Sequence, residues 1–141
     1  MPAVFFRGVF ALDEQQRKVK GKLSLKRHRL RHNQDFRKVF QKGKSFANQY
    51  FVLYLIRRHA TSRRSSRVGF SVSKKVGNAV VRNRVKRLLR EVMRRSITAI
   101  AYEADIVIIA RKGSSVLDYR DVDRYVQQLL DRSHLMKKST E

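Results

Sequence analysis

In KKVGNAVVRNRVKRLLRE, residues 74–91, seven lysines and arginines stand against a single acid, Glu91, and Asn83 is set between Arg82 and Arg84. Cations in that number can bind a row of phosphates. Arginine offers a planar fork that holds two phosphate oxygens or stacks on a base, and the Asn83 amide can donate to and accept from a base edge or ribose. At about 100° per residue, Val81, Val85, Leu88, Leu89 and Val92 gather on one side of a helix running from about residue 79 to 96, and that side is predicted to be buried. Arg82, Lys86, Arg90 and Arg94 recur every fourth residue on the far side, flanked by Arg87, as one cationic stripe. A charge run on an amphipathic helix is often only a solvated face, but such a face needs acids to balance it. Residues 57–95 hold fourteen Lys and Arg and one acid, which favours a polyanion site.

The whole chain repeats this imbalance: 34 Lys and Arg against 11 Asp and Glu give a formal charge of +23 over 141 residues. Self-repulsion of that size is hard to rationalise unless a polyanion neutralises it, and nucleic acid is the leading candidate. DNA and RNA are not distinguished by composition. A membrane surface is the other common polyanion, but no lipidated cysteine or apolar insertion element accompanies the charge, and no membrane partner is expected. The absence of cysteine excludes disulfides, thiolate catalysis and cysteine-based zinc sites, and is compatible with a reducing cytosol. No apolar run approaches the ~20 residues that span a bilayer, and Arg7 interrupts the only stretch resembling a signal core. One domain is expected, with residues 1–24 as an N-terminal extension, 25–135 as the folded unit and 136–141 as a tail.

The elements that must position the stripe follow from periodicity. Asn33 can cap a short helix in which Phe36, Val39 and Phe40 share a face and which Gly43 can stop. YFVLYLI, residues 50–56, reads as a strand with Phe51, Leu53 and Leu55 on one face and Tyr50, Val52 and Tyr54 on the other. RVGFSVS, residues 67–73, alternates Val68, Phe70 and Val72 with Gly69, Ser71 and Ser73. The basic RRHATSRRSS between the two strands is of the kind that closes a long hairpin. DIVIIA, residues 105–110, is a third strand, KSF at 44–46 a possible small extra one, and Val122, Tyr125, Val126, Leu129 and Leu130 mark a last helix after Asp118. The order α-β-β-α-β-α favours an α+β domain with helices packed on a small mixed sheet. If Phe51, Leu53 and Leu55 join the core, then Tyr50, Val52 and Tyr54 lie beside Gly69, Ser71 and Ser73, whose small side chains leave the tyrosines open to stack unpaired bases. Pattern alone favours Phe36, Phe40 and Val52 as ordinary core.

KKVGNAVVRNRVKRLLRE resembles the signature of the protein subunit of bacterial ribonuclease P, with Arg82, Asn83 and Arg84 as its RNR motif. The similarity extends upstream through RLRHNQDFRKVFQKGKSFANQYFVLY and downstream through DIVIIARKG. It implies a left-handed βαβ crossover around the cationic helix and a cytoplasmic bacterial ribonucleoprotein that removes the 5′ leader from precursor tRNA, leaving a 5′ phosphate. Catalysis would belong to the RNA subunit, with Mg²⁺ mainly on that RNA and one protein per RNA. The protein would hold the catalytic RNA through Arg82, Asn83, Arg84, Lys86, Arg87 and Arg90, with Lys74, Lys75 and Arg94 continuing the cationic surface. It would receive the leader in a cleft at Phe36, Phe40, Val52 and Tyr54, which the open strand face extends to Tyr50 and Ser71. Residues 1–24 are longer and more apolar than the short basic start usual in that family.

Two other classes remain to be weighed. A protein-only nuclease would need convergent carboxylates or a histidine pair, and neither is evident. His28 and His32 are spaced i, i+4 in a cation-rich stretch without a nearby acid, and Asp118, Asp121 and Asp123 suit the start of the last helix, where acids favour the macrodipole. Glu91 is expected to balance its arginine neighbours. A small basic ribosomal or RNA-architectural binding protein would explain the charge but not the open aromatic face.

Overall fold

The computed structural model describes residues 25–30, 32–58, 66–100 and 103–134. The expected extension, the tail and most of the basic loop after residue 58 lie outside the described residues. The elements are α1 (Asn33–Lys42), β1 (Lys44–Ala47), β2 (Phe51–Arg57), β3 (Arg67–Val72), α2 (Ala79–Ser96), β4 (Ala104–Ala110) and α3 (Tyr119–Arg132). The order is the expected one, and KSF is indeed a strand, β1.

Sheet topology departs from expectation at one point. β2 and β3 are not a hairpin: the strand order is β1-β2-β4-β3, with β4 antiparallel to β2 and parallel to β3. The physical reason lies in β4 itself. Ile106, Val107 and Ile108 are all fully buried, so this strand is apolar on both faces and takes the centre, where both faces are covered. β3 then reaches it through the parallel crossover that α2 supplies.

Register divides the sheet into two faces. Phe51, Leu53 and Leu55 of β2, Ile106 and Ile108 of β4, and Val68, Phe70 and Val72 of β3 are buried together, and α2 and α3 pack on this side. On the opposite face the rows run Val52–Ile109–Ser71, Tyr54–Val107–Gly69 and Ile56–Asp105–Arg67, and α1 lies across it. The sheet is therefore sandwiched between one helix and two.

Local signals set the helix ends. α1 begins one residue earlier than expected: His32 is its N-cap, in extended backbone without a side-chain hydrogen bond, and Asn33 is already helical. Gly43 is the C-cap of α1, in extended backbone, and glycine is required there because a Cβ would lie 2.4 Å from the carbonyl oxygens of both Leu55 and Val39. Asn78 caps α2 by accepting from the Val81 N–H at 3.0 Å. Asp118 and Asp121 form a reciprocal capping box at α3, and the hydrogen bond from the Asp121 backbone holds the Asp118 carboxyl below its ordinary range.

Candidate nucleic-acid interface

α2 buries Val85, Leu89, Val92 and Met93 completely, while Val81 and Leu88 are only half-buried. The buried arc is rotated from the purely apolar one, and this corrects the expected stripe. Lys86 and Arg90 do not stand on the solvent side; they are buried to 9% and 4% exposure. The Leu25–His28 turn packs against both β3 and α2, the Leu30 N–H donates to the Val68 carbonyl at 3.1 Å, and His28 Nδ1 meets the Ser66 carbonyl at 3.0 Å. Burial, reinforced by repulsion from Arg90 and Arg82, makes the Lys86 ammonium less basic than usual.

Solvent receives a different set. Asn83, Arg87 and Arg95 are exposed on α2, Lys74 and Lys75 on the turn before it, and Arg82, Arg84 and Arg94 are half-buried. Arg84 has a second job, because its guanidinium donates to the Ser115 carbonyl at 3.1 Å and the Leu117 carbonyl at 2.8 Å. It ties α2 to the loop before α3. Arg94 pairs with Glu91, which also lies 3.7 Å from Arg95, so Glu91 does balance its arginine neighbours.

α1 packs across the Val52–Tyr54 face of the sheet. Phe36 and Val39 are buried beneath it, at 1% and 0% exposure, while Phe40 meets Tyr54 edge-on with ring centroids 5.0 Å apart. Phe40, Val52 and Tyr54 are half-buried, so each keeps part of its surface open beside α1, and Ser71 is fully buried in the row of Val52. Tyr50 does not join them. It precedes β2 and turns to the other side, where its ring packs on Tyr125 of α3 at 4.7 Å. Asn48 forces that turn by accepting from the backbone N–H groups of both Tyr50 and Phe51 at 3.0 Å, a local bond that interrupts strand alternation.

Three further features were not read from the sequence. Ile109, half-buried opposite Val52, lies on the face that α1 covers, and the alternation of Asp105, Val107 and Ile109 carried that signal. Arg67, within the strand expected at 67–73, pairs with two acids, Asp105 of β4 and Asp35 of α1. Arg124 sits over the Tyr125 ring, 5.0 Å from its centroid. His32, by contrast, is an exposed helix cap and His28 a buried hydrogen-bonding residue. Among the described residues no group of three or more His, Asp or Glu side chains is placed to hold a metal ion, and no helix is long and apolar enough to cross a membrane.

Comparison with known proteins places this geometry in a family. The profile of the family described as "Ribonuclease P" matches residues 25–134. The "Ribonuclease P protein component" of Bacillus velezensis is 45% identical over 115 residues, spanning 82% of this chain and 97% of that protein. The solved Staphylococcus aureus RNase P protein superimposes with a TM-score of 0.70 at 32% identity, covering 78% of this chain and 98% of that one. The Thermotoga maritima RNase P protein does so with a TM-score of 0.66 at 38% identity, over 74% and 98%.

Proposed function

Since the chain belongs to the bacterial ribonuclease P protein family, a component of tRNA processing, we propose that it binds the catalytic RNA through α2 and holds the 5′ leader of precursor tRNA in the α1–sheet groove. The observation that carries this reading is the pairing of two chemically distinct surfaces on one small domain. One is the cation-rich helix and turn at Lys74, Lys75, Arg82, Asn83, Arg84, Arg87 and Arg94. The other is the half-open aromatic groove at Phe40, Val52 and Tyr54.

Each surface suits a different RNA. Arg87 and its neighbours are fixed on a rigid helix, so phosphates meet cations already in place, at small entropic cost. Lys86 and Arg90 lie beneath them and raise the local potential. A phosphate drawn to this face would also restore the Lys86 ammonium toward its ordinary basicity. In the groove, the exposed parts of Phe40 and Tyr54 offer sequence-tolerant stacking to unpaired bases. Phe36 is too deeply buried to stack and serves instead to seat α1.

Asp35 and Asp105 are engaged by Arg67, Glu91 by Arg94, and Asp118 and Asp121 by the cap of α3. Mg²⁺ and the hydrolytic groups are assigned to the RNA, as the resemblance implies, and no step runs through a protein-bound metal. One protein per catalytic RNA is proposed. Family membership also selects this reading over a ribosomal or architectural binder.

Reconstitution tests it. Protein added to catalytic RNA should increase precursor-tRNA cleavage at low Mg²⁺, chiefly by lowering KM, and protein alone should cut nothing. Cleavage by the protein alone would transfer catalysis to this chain. No stimulation at any Mg²⁺ concentration would remove it from the holoenzyme.

A further inference from the structure

Arg67 is a cation on the groove side of the sheet, and its geometry withdraws it from RNA. Its Nε and Nη2 donate to the two carboxylate oxygens of Asp105 at 2.9 and 2.7 Å, a bidentate pair, while its Nη1 reaches Asp35 of α1 at 3.3 Å. Asp105 is only 4% exposed, and Arg58, just past β2, places its Nε 3.2 Å from the same carboxylate. Charge-assisted bidentate pairs fix direction as well as distance. β3, β4, the end of β2 and α1 therefore meet at one ion-pair cluster.

The cluster holds one end of α1 only. Asp35 lies in the first turn, and at the far end Gly43 is seated directly on the Leu55 carbonyl. Between these two anchors α1 carries Phe36, Val39 and Phe40 over the sheet. Loss of the Asp35 anchor would free the N-terminal end of α1, the helix that lays Phe36, Val39 and Phe40 over the sheet.

We propose that the Asp35–Arg67–Asp105 cluster is a positioning clamp that sets the width of the leader groove, with Asp35 as the residue that fixes α1 to the sheet. The inference rests on the leader-groove reading above and adds residues that touch no RNA.

Asp35→Asn tests it, because positioning and electrostatics predict opposite signs. Removing a carboxylate near a polyanion site should by charge alone tighten binding of every RNA. Loss of the clamp should instead weaken it, and only for RNA with a leader. Affinity of the reconstituted holoenzyme for precursor tRNA carrying a leader of several nucleotides is expected to fall about 3- to 10-fold, the loss of one modest contact. Affinity for mature tRNA and for the catalytic RNA should stay unchanged, and Asp35→Glu, which keeps the charge, should recover most of the loss. Thermal unfolding checks that both variants fold; the ratio of leader-bearing to leaderless affinity is the readout that a general loss of stability would not move. Unchanged or tighter precursor binding, or an equal loss for mature tRNA, overturns the clamp. Tyr54→Ala run in the same assay separates the two claims. If Tyr54→Ala lowers the leader preference and Asp35→Asn does not, the clamp alone fails; if Tyr54→Ala has no effect, the groove and the clamp fail together.

Discussion

Arg84 and Arg87 are three residues apart on one helix, yet their truncations should be told apart by two measurements. The Arg84 guanidinium satisfies the carbonyls of Ser115 and Leu117, so Arg84→Ala is expected to destabilise the free protein by about 1 to 2 kcal/mol, seen as a lower urea midpoint. Arg87 is exposed, and Arg87→Ala should leave the midpoint where it is. It should lower affinity for the catalytic RNA and reduce the steepness of its salt dependence by about 1. An unchanged salt slope would take Arg87 off the phosphate row. Lys86 gives a third outcome. Its folded-state basicity is lowered, so between that lowered value and 10.5 the unfolded chain holds the proton more tightly. Stability therefore rises with pH across that window and the charged ammonium is a cost below it. Lys86→Met should flatten that alkaline rise in a pH series of thermal melts. A variant that keeps the full alkaline rise would contradict the buried-charge reading.

At the scale of elements, α1 depends on a close approach that only glycine permits. Gly43→Ala pushes a methyl group into two carbonyl oxygens and should cost about 1 to 3 kcal/mol by denaturant unfolding, although its backbone angles suit any residue. A neutral result would mean that α1 can shift freely, which would also undercut its role as a groove wall. The existence and order of the elements were legible because period-2 and period-3.6 patterns are local. Which strands become neighbours was not: alternation assigns faces to β2 and β3 but is silent on whether they pair. The unbroken DIVIIA run carried the missing signal, since a strand apolar on both faces belongs in the middle. Alternation put Val52 and Tyr54 on the face that α1 covers, and helical period put Phe40 against it, whereas reading that face as a leader cleft came from the resemblance. Tyr50 escaped because the Asn48 side chain redirects the chain just before the strand. The cationic helix was over-read for a similar reason. Charge suggested that Lys86 and Arg90 face water, but a helix face is exposed only if nothing else in the chain covers it, and both of these side chains are buried.

The whole molecule carries a net charge of +23, so like charges repel one another throughout the free chain. Raising salt from about 0.05 to 0.5 M shortens the screening length from more than 10 Å to well under it. The melting temperature of the free protein should therefore climb with salt while its affinity for catalytic RNA falls. Melting temperatures that are flat or fall with salt would mean that self-repulsion is not a major term in the free fold. The central position of β4 bears on something else, the order in which the chain can fold as it is made. β2 has β1 beside it early, but its other edge and the whole pairing edge of β3 wait for residues 104–110. Until that stretch leaves the ribosome, β3 has no strand partner for its inner edge and the apolar side of α2 has no completed sheet to rest on. A long span of basic, unfolded chain thus persists through most of synthesis, close to ribosomal RNA of opposite charge. Nascent chains arrested once residue 100 has emerged should be cut rapidly by protease across β2 and β3, and protection of both strands should appear together only once β4 has emerged.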